Sequence, residues 1–399
     1  MAPMTFDRLV APLDRDRFFR EFWTRKSVRL ADRTRTFDDV FGWDALNTVL
    51  SARDLTFPKI KVSRNDQPVA PDTFTTETGL VDVQAVLALF RDGASIGITG
   101  ADSDWPPLGV VVEGIYDALL ESVHTNVYVS PPNTQGFKCH FDLHEVFVLQ
   151  VEGTKHWRVF TPTIDASIES WRAEDAPDAS ATPYLDVVLA KGDVLYVPRG
   201  HWHYATAQDS TSIHVTVGVT CRKGAAFMDW IAKEATSDPI WRSNMPLLDG
   251  AVRGGAFALP PEWSAWAEAL TRSLSETLAD PDLAEKFCKT MLRDARPIRR
   301  VDVAAQTADS LDIAALVFER PAGRRHFLQQ DDEAVTLTAA DCDIELESAD
   351  AGFLAKIFAA ESFTLDDIRV WRPDADLDDV TVLLGELVRS GLLIARPRS

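Results

Sequence analysis

Cysteine and long apolar runs are scarce in this sequence, and each scarcity excludes a class of protein. The 399 residues include four cysteines, widely scattered and without a CxxC pair, which argues against a disulfide framework or a zinc site. No continuous apolar stretch reaches the roughly 20 residues that a membrane-spanning helix needs, and the first residues lack the apolar run of a signal peptide. We therefore expect a soluble, cytoplasmic protein with reduced thiols.

Positive charge is also in short supply. Asp and Glu number 61 against 41 Lys and Arg, which gives a net charge of -20 and a pI near 4.8. An acidic surface repels nucleic-acid phosphates and membrane surfaces, and it attracts basic polypeptides. The charge therefore predicts no direct nucleic-acid or membrane partner and favours a basic protein or peptide, although acidity can equally serve solubility alone.

The chain is long enough for two or three domains, and its patterns change along its length. Apolar residues make up 46%, with 11 Trp and 21 Phe, so substantial cores can form. The first part reads as helical and mixed. Short β-rich runs then extend from Asn126 to Val219, separated by Pro, Gly and Asp, which is typical of an antiparallel sandwich or barrel. After Cys221 the strands are expected to stop, and amphipathic helices are predicted over 225–236 and 263–293.

The last part of the chain, from about Pro297, predicts helices over 351–359, 364–370 and 377–390 and then a short apolar strand at 392–395. Three helices followed by a strand resemble a winged helix. Positions 331–399 hold 16 Asp or Glu against 6 Lys or Arg, which argues against DNA binding and favours a protein-contact role.

Histidines are concentrated in the β-rich region, where seven of the eight lie between positions 124 and 214. His140 and Asp142 are two residues apart, so on a strand both side chains face one side and can hold one ion. Such a pair alone is more often hydrogen-bonded than ligating. A second histidine from a distant strand would complete a two-histidine, one-carboxylate face, which leaves coordination positions open and suits non-haem Fe(II) oxygen chemistry.

The phrase 198–203 offers two candidates for that second histidine, His201 and His203. Gly192, Pro198, Gly200 and His203 follow the Gly-x5-Pro-x-Gly-x2-His spacing of the second cupin motif. In that motif Gly and Pro form the turn that brings the histidine of the next strand to the mouth of the barrel. The spacing selects His203.

The first cupin motif is present as well, at His140, Asp142 and Glu145, and the pair of motifs resembles the cupin-type JmjC oxygenases, most closely the ribosomal oxygenase group. Residues 18–26, 126–128, 148–159 and 214–217 also look like segments of that group. The resemblance implies an α+β fold with a double-stranded β-helix (jelly-roll, cupin) core. A helical dimerisation segment and a C-terminal winged-helix-like domain would follow, which predicts domains at 1–220, 221–296 and 297–399 and a homodimer.

The resemblance also assigns the site. Fe(II) would be held by the three residues that also serve as the catalytic group, His140, Asp142 and His203. Lys155 stands at the family position for the basic residue that pairs with the distal carboxylate of 2-oxoglutarate, the co-substrate used together with O2, and a dicarboxylate that chelates iron at one end needs a cation at the other. Further family positions that line the co-substrate pocket are Asn126, Tyr128 and Thr216.

Other residues near these motifs have open roles. His201 is either a substrate contact or solvent-facing, and Glu145 is a fourth ligand only if this is another type of cupin. His144 and His156 are expected in the pocket wall or on the surface, and His214 is expected to be structural, on a strand neighbouring the site.

Placement of Lys155 depends on the turn before it. A two-residue hairpin turn at Glu152-Gly153 would set Lys155 opposite Gln150 on the neighbouring strand. In a flat sheet Gln150 would lie roughly 27 Å along the strand from Asp142, so this arrangement requires a bend near 143–145.

Three functions are compatible with the sequence. The first is a 2-oxoglutarate- and Fe(II)-dependent hydroxylase that acts on an Arg or His side chain of a ribosomal protein. The second is the same chemistry on another peptide, such as a natural-product precursor. The third is a non-catalytic binding or regulatory protein that keeps the cupin shell, which the intact set of His140, Asp142, His203 and Lys155 argues against.

Overall fold

The computed structural model describes residues 5–32, 34–52, 54–171, 176–177, 180–248, 259–293, 313–321, 325–330, 334–339, 342–347 and 351–398. The chain forms two compact units. The first runs to Cys221, and the second takes in almost all described residues after it. In the described part of the chain no helix is both long and apolar enough to cross a membrane.

The described residues of the first unit form five α-helices and eleven strands. The helices are α1 (Phe6–Val10), α2 (Arg15–Glu21), α3 (Trp43–Leu50), α4 (Val83–Arg91) and α5 (Pro106–Leu119). The strands are β1 (Val28–Leu30), β2 (Ile60–Arg64), β3 (Gln67–Pro68), β4 (Ser95–Thr99), β5 (Ser122–Ser130), β6 (Glu145–Glu152), β7 (Lys155–Val159), β8 (Leu185–Leu189), β9 (Val194–Val197), β10 (His203–Ala207) and β11 (Ser212–Thr220). Strands β5 to β11 occupy the region predicted to be β-rich, and helices α1 to α5 lie in the first part, which was predicted to be helical and mixed.

The strands form two antiparallel sheets. Eight strands follow the order β1-β9-β6-β11-β5-β4-β2-β3, and three follow the order β10-β7-β8. Side chains from both sheets share one apolar cluster, in which Val146, Val148 and Leu195 of the larger sheet meet Trp157 and Ala205 of the smaller one. The two sheets therefore pack face to face, in agreement with the expected cupin core.

Alternation along the strands of the larger sheet separates its two faces. In β5 and β11 the odd-numbered residues, such as Val127 and Val215, belong to the core shared with the N-terminal helices. The even-numbered residues Asn126, Tyr128 and His214 face the opposite side and line a pocket. The sheet is thus covered by helices on one face and carries the polar site on the other.

The prediction of a hairpin at Glu152-Gly153 is wrong. Strand β6 pairs with β9 and β11, whereas β7 pairs with β8 and β10, so the chain crosses from one sheet to the other at this point. Lys155 is paired with Ala207 and Leu189 rather than with Gln150. The crossing brings Lys155 over the polar face of the larger sheet. The chain also bends at Leu143 and His144, as expected, directly before β6 begins.

Gly192 and Arg35 join the N-terminal segment to the core. The buried Arg35 guanidinium donates hydrogen bonds to the carbonyl oxygens of Leu30, Gly192 and Ala11, at 2.6, 2.7 and 2.9 Å. Gly192 has φ +91, and a Cβ at this position would overlap the carbonyl oxygen of Arg35. The glycine of the second cupin motif is therefore required both for its backbone conformation and for this close approach.

The second unit contains helices and two three-stranded sheets. Its helices are α6 (Gly224–Glu234), α7 (Pro239–Arg242), α8 (Glu262–Leu278), α9 (Leu283–Arg293), α10 (Ala351–Ala359), α11 (Leu365–Trp371) and α12 (Leu377–Arg389). Its strands are β12 (Leu316–Glu319), β13 (His326–Gln330), β14 (Ala334–Ala339), β15 (Cys342–Glu347), β16 (Ser362–Phe363) and β17 (Ile394–Pro397).

Among the described residues of 222–296 no strand occurs, as expected. Strands β12 to β16 were not predicted: β13, β14 and β15 form one antiparallel sheet, and β12 and β16 form another with β17. The three C-terminal helices and the strand after them are confirmed. The predicted boundary between 296 and 297 lies outside the described residues.

Candidate metal centre and co-substrate pocket

His140, Asp142 and His203 come together at one end of the sheet pair. One ligand atom from each residue lies within 4.8 Å of the others, and His203 Nε2 is 3.6 Å from Asp142 Oδ2. His140 lies in the segment between β5 and β6, and its backbone forms a β-bridge with His203, with N···O distances of 3.1 and 2.7 Å. Two distant segments are thus fastened together at the ligands themselves.

Hydrogen bonds orient both imidazoles toward a common centre. His140 Nδ1 lies 2.8 Å from the carbonyl oxygen of Lys138, and His203 Nδ1 lies 3.0 Å from that of His201. A carbonyl only accepts, so each Nδ1 carries the proton and each Nε2 keeps a free lone pair. Metal-binding histidines are commonly held in this way.

The electrostatics of the group also suit a cation. Burial lowers the pKa of His203 to about 4, so its imidazole is neutral at physiological pH. Burial opposes ionisation of Asp142, but the neighbouring His203 and His140 outweigh it, and the pKa of this carboxyl is lowered. Two imidazole nitrogens and one carboxylate form the donor set of a non-haem Fe(II) centre. The residues present therefore fit Fe(II).

A polar pocket extends from the three ligands into the space between the sheets. Its lining includes every predicted site residue, namely Asn126, Tyr128, His140, Asp142, Lys155, His203 and Thr216. At least three further side chains that line it, His144, Trp157 and His214, also carry polar atoms. The pocket is thus bounded by strands of both sheets.

Lys155 is a buried lysine of this pocket. Its side chain is almost fully buried, and Nζ donates a hydrogen bond to Ser130 Oγ at 3.0 Å and lies 3.5 Å from His214 Nδ1. Burial lowers the pKa of Lys155 to about 7. A buried lysine beside a neutral histidine and a hydroxyl is poised to receive an anionic group.

Asn126, Tyr128 and Thr216 lie on the polar face of the larger sheet and line the pocket. Asn126 Oδ1 accepts a hydrogen bond from the backbone N–H of Gly100 at 3.0 Å, which fixes its amide. The Tyr128 ring stacks on the His214 ring with centroids 5.0 Å apart. His214 was expected to be structural, but it lines the pocket and contacts Lys155, and its two-residue spacing from Thr216 was the available signal.

The remaining histidines of the β-rich region lie in different places. His144 lines the pocket, whereas His156 lies on the outer face of β7 and pairs with Asp186. His201 fits neither of its expected roles, because it is buried, lies outside the pocket lining and bonds to Tyr184 through Nδ1 at 2.8 Å. Glu145 faces away from the pocket and bonds to Tyr196 at 2.5 Å.

The JmjC domain profile matches residues 111–227, a segment that contains the three ligands and every pocket residue named above. Residues 111–227 thus carry a JmjC domain. Ribosomal oxygenase 1 of Rattus norvegicus is 32% identical over 222 residues. The bifunctional lysine-specific demethylase and histidyl-hydroxylase NO66 of Drosophila willistoni is 31% identical over 212 residues. These alignments cover 54% and 52% of this chain but only 37% and 28% of the relatives, so the chain spans about a third of their length.

Solved structures extend the likeness beyond the JmjC domain. The ribosomal oxygenase YcfD from Escherichia coli, in complex with cobalt and succinic acid, has a TM-score of 0.60 at 17% identity and covers 96% of this chain and 99% of its own. The complex of YcfD with cobalt and 2-oxoglutarate has a TM-score of 0.58 at 16% identity, with 96% and 99% covered. At these identities the likeness establishes the fold.

Proposed function

We propose that this protein is a 2-oxoglutarate- and Fe(II)-dependent hydroxylase that acts on an Arg or His side chain of a ribosomal protein. The single observation that carries the proposal is the placement of His140, Asp142, His203 and Lys155 in one pocket. A metal face alone occurs in many cupins, whereas a buried lysine across the pocket provides for a dicarboxylate.

His140, Asp142 and His203 would hold Fe(II), each through one donor atom. The bound iron with 2-oxoglutarate and O2 supplies the oxidation, in which one oxygen atom enters succinate and the other enters a substrate C–H bond, with release of CO2. The protein positions the reactants and keeps water out of the pocket. The carbonyl groups that hold the two imidazoles keep the Nε2 atoms directed at the centre throughout.

Lys155 would bind the distal carboxylate of 2-oxoglutarate, with Ser130 orienting its ammonium. A charge-assisted hydrogen bond in a buried site is stronger than one between neutral groups. Asn126, Tyr128 and Thr216 would form the wall along which the co-substrate lies. All three belong to β5 or β11 and share one face of the larger sheet, which supports a common role.

The substrate assignment is supported by charge and by relatives. Two similar proteins are named ribosomal oxygenase 1 and histidyl-hydroxylase, and ribosomal proteins are generally basic polypeptides. A net charge of -20 favours their approach and disfavours direct binding of nucleic acid.

We also propose the architecture that accompanies this function. It comprises an oxygenase domain over 1–220, a helical dimerisation domain over 221–296 and a winged-helix-like domain over 297–399, in a cytoplasmic homodimer. The order of helices α10, α11 and α12 and strand β17 supports the last of these domains. Sedimentation equilibrium would reveal a monomer if the dimer is wrong.

Mass spectrometry of ribosomal proteins tests the substrate. Proteins from a strain that lacks the gene are expected to miss one oxygen atom on a single Arg or His residue, and wild-type protein should restore it. Complementation with His203→Ala should not restore it, whereas His156→Ala should. Identical ribosomal proteins in both strains would contradict the ribosomal assignment and leave another peptide as substrate.

A further inference from the structure

Two tyrosine hydroxyls connect the segment after helix α2 with the segments that carry the metal ligands. The first belongs to Tyr196 in β9. Its hydroxyl accepts a hydrogen bond from the backbone N–H of Thr24 at 2.8 Å and donates one to Glu145 Oε2 at 2.5 Å. The same carboxylate oxygen accepts from the backbone N–H of Arg199 at 3.3 Å. Thr24 is thereby linked to the turn that precedes His203.

The second hydroxyl belongs to Tyr184, which precedes β8. It accepts a hydrogen bond from the backbone N–H of Ser27 at 3.0 Å and lies 2.8 Å from Ser27 Oγ. It also lies 2.8 Å from His201 Nδ1. Both bridges therefore begin in residues 24–27. One ends on His201 within the turn 198–203, and the other ends on the Glu145 carboxylate, which accepts a hydrogen bond from that turn.

Glu145 and His201 lie on the side of the metal ligands that faces away from the pocket. Glu145 shares its face of β6 with Phe147, which belongs to the core under the N-terminal helices. The Tyr196 ring is fully buried and packs against Phe18 and Trp23, with centroids 5.0 and 5.8 Å apart. Neither Glu145 nor His201 lines the pocket, so neither has access to a bound metal.

The turn 198–203, which these two bridges hold, also forms backbone hydrogen bonds with the other two ligands. The backbone N–H of Gly200 donates to the carbonyl oxygen of Asp142 at 2.9 Å, and His203 exchanges backbone hydrogen bonds with His140. A displacement of the turn would therefore move all three ligands. Thr24 has φ +58, a conformation that is unfavourable for a β-branched residue and persists where the surroundings enforce it.

We infer that Glu145 with Tyr196 and His201 with Tyr184 are positioning residues, which set the geometry of the metal ligands by fastening the turn 198–203 to residues 24–27. The inference rests on the proposed function only in that the three ligands bind a metal. Groups that orient metal ligands typically change metal affinity by roughly 10-fold to 100-fold when they are removed. Residues that merely fill the core would change the free energy of unfolding and leave the bound metal unaltered.

Titration with Co(II), followed by its visible absorption, tests the inference on the full chain. Tyr196→Phe, Tyr184→Phe and Glu145→Ala are expected to weaken Co(II) binding roughly 10-fold to 100-fold and to alter the shape of the absorption bands. Glu145→Gln keeps an oxygen that accepts from Tyr196 and Arg199, so it should restore the wild-type spectrum. Tyr116→Phe, which removes a hydroxyl from helix α5, serves as the matched control.

The outcomes are distinguishable. If the wild-type protein binds no Co(II), the proposed function fails. If the wild-type protein binds Co(II) and the three disruptive variants match Tyr116→Phe in affinity and spectrum, the bridges are structural only and the inference is overturned. The same conclusion follows if Glu145→Gln behaves like Glu145→Ala. Tyr184 is 40% exposed, so Tyr184→Phe gives a decisive result even if a variant of the buried Tyr196 does not fold.

Discussion

Lys155 is expected to be mostly neutral above pH 7 until an anion enters the pocket. Burial lowers the pKa of its ammonium from 10.5 to about 7. Two titratable groups that line the pocket with it do not offset this. Burial and Lys155 hold the pKa of His214 well below its ordinary value, and burial raises the pKa of Tyr128, so both are uncharged near neutrality. A carboxylate placed against Lys155 favours the ammonium, so 2-oxoglutarate should bind together with a proton.

The size of the effect follows from the pKa of about 7. At pH 8 about nine tenths of the free protein has neutral Lys155 and must take up a proton on binding, whereas at pH 6 only about one tenth must. Each pH unit further above 7 makes the free energy of 2-oxoglutarate binding less favourable by about 1.4 kcal/mol, because the neutral lysine must first take up a proton. The affinity for 2-oxoglutarate should therefore fall about tenfold between pH 8 and pH 9. We therefore expect binding to weaken as the pH rises through 7.

Calorimetric titration of the Co(II)-loaded protein with 2-oxoglutarate measures this uptake when it is repeated in buffers of different ionisation enthalpy. Lys155→Met should bind weakly at every pH and take up no proton. Absence of uptake at pH 8, or an affinity that is unchanged between pH 8 and pH 9, would refute the expectation that Lys155 is neutral before 2-oxoglutarate binds. Binding by Lys155→Met as tight as that of the wild type would refute the assignment of Lys155 as the carboxylate anchor.

Lys155 should also lower the free energy of unfolding of the free protein. An unfolded chain holds the proton up to pH 10.5, and the folded chain only up to about 7, so the penalty is absent above 10.5, grows as the pH falls and is complete below 7. Lys155→Met should thus raise the free energy of unfolding at pH 7, by up to about 4 kcal/mol, while it removes 2-oxoglutarate binding. A variant that loses both would indicate a structural lysine.

Three further predictions concern the metal and the fold. His203→Ala should abolish Co(II) binding in equilibrium dialysis and His156→Ala should preserve it; equal loss would mean that the ligand is misassigned. Gly192→Ala should lower the free energy of unfolding by clearly more than Gly93→Ala in urea melts. Both glycines have φ near +90, so alanine at either position should lower the free energy of unfolding by about 1–2 kcal/mol through backbone strain. Only at Gly192 would the new Cβ also overlap backbone atoms. Arg35→Met should cost about 3 kcal/mol or more, because it leaves buried carbonyls without donors; a loss under about 1 kcal/mol in the same melts would mean that solvent replaces them.

Alternation accounts for most of what could be predicted about the site. In β5 and β11 apolar residues occupy one face, so the sequence alone indicates that Asn126 and Tyr128 share the other. The register then places Thr216 opposite Asn126 and His214 opposite Tyr128. Motif spacing chose between His201 and His203, and the structure places only His203 with the other ligands.

The crossing at Gly153 could not be read in the same way. Strand patterns define which face a residue occupies but not which sheet the strand joins, so a tight turn at Glu152-Gly153 looked like a hairpin. Gly153 has φ +66, and a Cβ there would overlap the carbonyl oxygen of Thr211. This close packing against the residue that precedes β11 belongs to the sheet crossing and has no local sequence signature.

Long-range polar contacts were likewise beyond the sequence. Tyr196 is 172 residues from Thr24, and Tyr184 is 157 residues from Ser27, so no spacing rule connects them. The sheet of β13, β14 and β15 was missed for a different reason, since β13 and β15 are rich in polar residues. The alternation of buried Val335, Leu337 and Ala339 was its available signal.

Turnover in vitro tests the central claim most directly. The protein is prepared without oxygen, supplied with Fe(II), 2-oxoglutarate and total ribosomal protein, and then exposed to O2, and succinate is measured together with the masses of the ribosomal proteins. We predict succinate in proportion to one oxygen atom added to one ribosomal protein, dependent on both Fe(II) and 2-oxoglutarate and absent in His203→Ala. No succinate above that of His203→Ala, with any ribosomal protein or none, would contradict the assignment of this pocket as an oxygenase site.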